Sequence, residues 1–160
     1  MPVWMGVDLG NARVGLALSD PELTFAHPAG NVLAYGDYDN AMDDVLNAIE
    51  DNDVSHVVVG HPLSLDGHEG ASARKARAWS ERLRYRCVVE GFAGTTVELL
   101  DERLTTVTAH RQLSEAGVSS RRHRPSVDQQ SATVILQTAL DRRGARVEDA
   151  PDDVDETNGE

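Results

Sequence analysis

Two short apolar runs joined by a tight turn open the chain and restrict what it can become. Residues 3–8 and 14–19 read as paired strands, and Gly10-Asn11 between them suits a hairpin turn that needs positive φ or close backbone approach. Residues 25–33 form a weaker third strand, in which Pro28 signals an edge or a bend. The pattern then changes. Ala41, Val45, Ala48 and Ile49 recur at helical spacing across 38–51, and Val57-Val58-Val59 marks a short, doubly buried strand of the parallel kind at 56–60. A loop at 62–70 precedes a helix at 71–85, a buried strand at 96–100 and a helix at 106–116 closed by Gly117. Residues 118–125 carry no apolar period and read as an exposed, mobile loop. Ser126 with Gln129 then resembles a capping box for a last helix from 127 to about 143, with Ala132, Ile135, Leu136, Ala139 and Leu140 on one face. Three meandering strands followed by alternating helices and strands predict an α/β fold: one mixed five-stranded sheet flanked by helices, in a single domain.

A chain of 160 residues can bury a real core, about 68–70% of its unfolded surface at this size. No apolar run approaches the roughly 20 residues of a membrane span, and no signal peptide is visible at the N-terminus. The single cysteine, Cys87, cannot form an internal disulfide, which favours a cytoplasmic setting. It is expected to be a buried structural thiol in a helix-to-strand connection.

The net charge of −12 argues against nucleic acid until it is divided along the chain. Residues 1–53 carry −9, residues 54–124 carry +3 and residues 125–160 carry −6. Seven acids and no base lie between Glu148 and Glu160. The expected division is a folded domain over 1–146 and an acidic, disordered tail over 147–160. The basic middle is where a phosphate backbone could be gripped.

Three acids stand at comparable ends of elements: Asp8 on the first strand, Glu102 just past the last strand and Asp128 at the start of the last helix. Strand ends form the ligand crevice of open α/β sheets. Three carboxylates within about 5 Å would repel by roughly 3 kcal/mol per pair at an effective dielectric near 20. Oxygen ligands alone select hard cations such as Mg²⁺ or Mn²⁺, and the matching chemistry is in-line displacement at phosphorus. Each acid also has a plain structural use. Asp8 can cap a turn, Asp128 can serve the helix dipole, and Glu102 can pair with Arg103 or Arg13.

The segments GVDLGNARVGLALSD, VVVGHPLSLDGHEGASARKARAW, VELLDERLTT with Ala109 and Leu113, and SVDQQSATVILQTALD resemble the four blocks of the YqgF-type, Holliday junction resolvase-like family, also called the pre-16S rRNA nuclease family. Together they span nearly all of residues 3–141. The resemblance implies an RNase H-like fold. It also implies that Asp8, Glu102 and Asp128 are metal-binding catalytic acids in a cytoplasmic nuclease that matures the 5′ end of 16S rRNA precursor. His61 and Ser131 depart from the family pattern, and the acidic tail lies outside it.

Candidate contacts to nucleic acid are Arg13 beside the first turn, Arg74, Lys75 and Arg77 at the start of the 71–85 helix, and Arg121, Arg122 and Arg124 in the 118–125 segment. Gly67 and Gly70 make the 62–70 loop adaptable, while Thr105 and Thr106 are expected to cap the following helix. The histidines lack the spacing of zinc ligands, although His61 or His68 could assist proton transfer. Few aromatics neighbour the basic segment, so structured RNA read through backbone and shape is the expected partner. The enzyme alternative is a resolvase of branched DNA; the non-enzyme alternative is an RNA-binding ribosome-assembly factor. No membrane partner is expected, and the chain is expected to be a monomer or weak dimer. A DxG strand also opens the sugar-kinase and actin-like ATPases, but those need two such domains.

Overall fold

The alternation of large apolar side chains along residues 3–9 sets the first strand on two faces at once. In the computed structural model, which describes residues 2–10, 12–34, 38–105 and 124–149 (side chains of 124–129 and 148–149 excepted), β1 (Val3–Leu9) pairs antiparallel with β2 (Arg13–Ser19). Asp8 stands opposite Gly15, and the Gly10 N–H donates to the Arg13 carbonyl at 2.9 Å to close the turn. Val3, Met5 and Val7 enter one core; Trp4, Gly6 and Asp8 point to the other face.

β3 (Ala26–Leu33) forms the outer edge beyond β2, where Pro28 leaves no ladder donor unmet. β4 (Val54–His61) runs parallel to β1, and β5 (Thr96–Asp101) runs parallel to β4, giving the order β3-β2-β1-β4-β5. Val57, Val58 and Val59 are fully buried because β4 is covered on both faces. α1 (Tyr38–Asp51) and α2 (Ala71–Val89) pack on the Val3–Met5–Val7 face. α3 (Arg124–Asp149) covers the opposite face.

Gly6 sets how closely α3 approaches. A Cβ there would lie 2.6 Å from the Ala132 carbonyl oxygen and 2.7 Å from the Leu136 Cβ, so the helix backbone rests directly on β1. Ala132, Ile135, Leu136, Ala139 and Leu140 form the buried stripe against the sheet, as expected.

Several boundaries differ from those expected. α2 continues past residue 85 because Leu83 and Cys87, at i and i+4, extend its buried stripe; Cys87 is thus a buried helical residue rather than part of a connection. Gly91, at φ +92°, lets the chain turn away, with the Phe92 N–H donating to the Cys87 carbonyl at 2.6 Å. α3 begins at Arg124, with Pro125 in its first turn where a missing N–H costs nothing, so Ser126 lies inside the helix and Asp128 falls in its second turn. At its other end α3 runs on to Asp149, since Gly144 keeps negative φ and gives no stop. The expected helix at 106–116 lies outside the described residues. Among the described residues no helix is long and apolar enough to cross a membrane.

Candidate active site

Glu102 opens a short 3-10 turn, Glu102–Thr105, directly after β5. The Thr105 hydroxyl donates to the Glu102 carbonyl at 2.6 Å and holds that turn. The Glu102 side chain folds back over β4, with Oε2 3.0 Å from where a Cβ of Gly60 would stand. The same Cβ would meet the Ile135 Cδ1 at 2.5 Å, so glycine lets the Glu102 and Ile135 side chains both close over β4 without shifting. Gly60 follows Val59, the partner of Val7 in β1. Asp8 therefore stands one strand from the Glu102 carboxylate, at a spacing of about 4.8 Å between strands and on the same face.

Burial pushes the Glu102 carboxyl above the ordinary glutamate value, and the nearby Asp101 charge adds to the rise, while His61 opposes both. Arg103 does not relieve it. Its guanidinium forks onto Asp101 instead, at 2.6–3.0 Å, and reaches the Leu65 carbonyl at 3.4 Å. Among the described residues only the His61 charge offsets that of Glu102, which leaves room for a bound cation. Carboxylate oxygens without a thiolate suit a hard divalent ion. Among the described residues no three His, Cys, Asp or Glu side chains are gathered as a metal cluster. The side chain of the third expected acid, Asp128, lies outside them; its backbone sits near the start of α3, the helix that presses on Gly6 and Gly60.

Two features near these acids were not read from the sequence. The Tyr38 hydroxyl donates to the Gly10 carbonyl at 2.8 Å, and burial, then the charge of Asp8, raises its pKa. Tyr38 opens a helix whose buried positions are otherwise aliphatic, which is the only local hint. His61, at the end of β4, holds Glu69 at 2.9 Å through Nε2, and Arg77 grips both Glu69 oxygens at 2.9 Å. The Arg77 hydrogen bonds, with lesser help from His61, hold the Glu69 carboxyl low.

This chain ties the 62–70 loop to α2, and the loop is further closed by the Ser64 N–H on the His68 carbonyl, by the Gly67 N–H on the Ser64 carbonyl, and by Gly67 itself at φ +91°. Arg77 is thus committed to Glu69, Arg74 reaches the Glu69 carbonyl at 3.1 Å, and Lys75 is exposed. Arg13 lies on the strand beside Asp8. Arg121 and Arg122 lie outside the described residues, as does the side chain of Arg124. His68 pairs with Asp66 at the exposed loop tip, and His56 with Glu98 at the far end of the sheet.

A family model described as RuvX, Holliday junction resolvase, matches residues 2–142. A protein of Bifidobacterium longum subsp. infantis named "Putative pre-16S rRNA nuclease" is 64% identical over 147 residues, covering 88% of this chain and 97% of that one. A protein of the same name from Anaeromyxobacter sp. strain Fw109-5 is 43% identical over 142 residues, covering 89% and 98%. Among solved structures, Thermus thermophilus RuvC bound to a Holliday junction substrate superposes with a TM-score of 0.59 at 17% identity, over 90% of this chain and 96% of that one. The yeast mitochondrial Holliday junction resolvase Ydc2 gives 0.58 at 11% identity, over 91% and 80%. The sheet order and these likenesses make the fold RNase H-like, as the sequence resemblance implied.

Proposed function

The chain belongs to the RuvX family of Holliday junction resolvases and is a nuclease, and we propose that it is a metal-dependent endonuclease that processes the 5′ end of precursor 16S rRNA in the cytoplasm. The observation that carries the metal is the half-buried Glu102 carboxylate, raised in pKa, without an arginine or lysine ion pair among the described residues, and one strand from Asp8. The names of the relatives at 64% and 43% identity support the RNA substrate.

In this reading Asp8, Glu102 and Asp128 hold Mg²⁺ or Mn²⁺. A bound divalent ion supplies Lewis acidity for the attacking water and the leaving oxygen of an in-line displacement. The chain's own residues do the rest. Gly60 makes room for the Glu102 carboxylate, Tyr38 ties the β1–β2 turn to α1 beneath Asp8, and the Glu69–Arg77 pair holds His61 and the 62–70 loop beside the acids. Arg13, Arg74, Lys75, Arg121, Arg122 and Arg124 attract the RNA backbone, with Arg77 contributing mainly through Glu69.

The family description and the two resolvase structures favour one second reading, cleavage of four-way DNA junctions. A symmetric junction calls for two active sites related by a two-fold axis, whereas a monomer or weak dimer suits RNA. The deciding assay presents precursor 16S rRNA and a four-way junction to the protein with Mg²⁺, Mn²⁺ or chelator, beside Asp8→Asn. Cleavage of the RNA alone, abolished by chelator and by Asp8→Asn, is the expected result. Junction cleavage with intact RNA would reverse the assignment, and full activity of Asp8→Asn would remove the catalytic acids from it.

A further inference from the structure

The sheet face that carries Asp8 and Glu102 has a second hollow at its other end. Trp4, Glu98 and Leu100 floor a cleft of about 270 Å³ walled by the last turns of α3, where Arg142, Arg143 and Arg146 stand. The Trp4 ring lies 4.4 Å from the His56 ring at 55°, and His56 joins Thr96 Oγ1 at 2.5 Å and Glu98 Oε1 at 2.8 Å. The Glu98 carboxylate is thereby held through Oε1. Among the described residues Arg142, Arg143 and Arg146, like Arg13, make no side-chain hydrogen bond or close ion pair, although the charges of Arg146 and Arg142 act on Glu98; Arg74, Arg77, Arg82, Arg84, Arg86 and Arg103 are all engaged. Three guanidiniums without a hydrogen bond among the described residues, gathered beside an indole, are conspicuous in a chain of net charge −12. Position at a helix C-terminus explains why arginines are tolerated there; it does not explain the indole or the oriented carboxylate.

We propose that this cleft is a subsite for a guanine nucleotide of single-stranded RNA, separate from the cleavage centre. The indole offers a stacking surface, which every base accepts. The arginines take the flanking phosphates. Glu98 adds selectivity, because guanine presents its ring N–H and exocyclic amine side by side as a pair of donors, while adenine and uracil do not present that pair to a carboxylate. Trp4 and Asp8 are four residues apart on one strand and one face, about 13 Å. That is roughly four steps of a stacked strand at about 3.4 Å each. The subsite therefore anchors the substrate strand a few nucleotides from the scissile bond. The inference rests on the nuclease reading for the source of the RNA, but its test does not depend on cleavage.

The test is fluorescence anisotropy of labelled eight-nucleotide RNAs, containing either one guanine or adenine in its place, with the full-length protein in chelator. Trp4→Leu, Arg142→Ala/Arg146→Ala and Glu98→Gln are compared with the wild type. We expect Trp4→Leu to weaken binding of both RNAs by about fivefold or more. The double arginine variant, altered at two exposed positions, should weaken binding and lower the salt slope by about 1.4. Glu98→Gln should erase the preference for guanine.

Wild-type affinity in either Trp4→Leu or the double arginine variant, equal affinity of the wild type for the two RNAs, or a guanine preference that survives Glu98→Gln would overturn the proposal. So would a double arginine variant that binds RNA normally but loses any gain produced by deleting residues 150–160, since the arginines would then serve the chain's own acidic segment. A failure of the nuclease reading shows separately, as absent cleavage by the wild type with Mg²⁺ while these affinities keep their order.

Discussion

Burial of the Glu102 carboxyl favours its protonated form, so the folded chain binds that proton more tightly than the unfolded one. The folded pKa lies above the ordinary 4.5, so the associated penalty is absent well below that value, grows as pH rises, and is complete above the raised pKa. Glu102→Gln removes the charge and the penalty together. Its melting temperature at pH 7 in chelator is expected to rise by about 2–4 °C, while cleavage is lost. Added Mg²⁺ should stabilise the wild type and not the variant, which thermal denaturation with and without the ion reads directly. A lower melting temperature in chelator would mean that burial is not what raises this pKa. That Asp8 and Glu102 stand at strand ends was legible in the sequence, because carboxylates at strand ends are conspicuous wherever they fall. Gly60 and Tyr38 were not. Their importance is set by Ile135, Glu102 and Gly10 lying against them, and such neighbours 28 to 75 residues away leave no local pattern.

At the scale of elements, α3, whose second turn carries Asp128, is seated on the sheet backbone against backbone. Gly6→Ala would drive a methyl to 2.6 Å from a carbonyl oxygen, which cannot rotate aside. A loss of about 1–3 kcal/mol in urea denaturation is expected, with a weaker stabilising response to Mg²⁺ because α3 must lift. Gly94→Ala, where a Cβ meets nothing within 4 Å, serves as the control and should stay within about 0.5 kcal/mol.

The pairing of His56 with Glu98 works at the opposite end of the same face. His56 holds the Glu98 carboxyl below its ordinary value, so the contribution is present above that value and is lost as pH falls through the lowered one. Glu98→Gln should therefore narrow the stability difference between neutral and strongly acidic pH, as measured by denaturant midpoints at several pH values. Every strand and α-helix that the structure describes was anticipated in the sequence, from helical repeats, apolar runs and turn residues; the short 3-10 turn at Glu102–Thr105 was not, and β3 has no buried residue to mark it. The ends of α2 and α3 were misplaced, where exposed Val88 and Val89 and an interior Gly144 imitate stop signals that the backbone does not use.

For the whole molecule the distribution of charge matters more than its sum. The sequence placed the acidic tail at 147–160, but α3 is helical to Asp149 and Val147 lines the cleft beside Trp4. A deletion that leaves the helix and its cleft intact removes residues 150–160, which hold five acids and no base. In the sequence these follow closely on Arg142, Arg143 and Arg146, so both signs of charge fall within one short stretch of the chain.

Screening decides how much that matters. At 0.01 M salt a charge acts over about 30 Å, at 1 M over about 3 Å. The truncated chain is accordingly expected to bind a structured RNA severalfold more tightly than the full chain at low salt. That advantage should vanish near 1 M, with the melting temperature unchanged. Anisotropy titrations across a salt series measure both slopes. A gain that persists at high salt would point to removal of a steric block, and a loss of affinity would mean that the acidic segment assists RNA binding rather than competing with it.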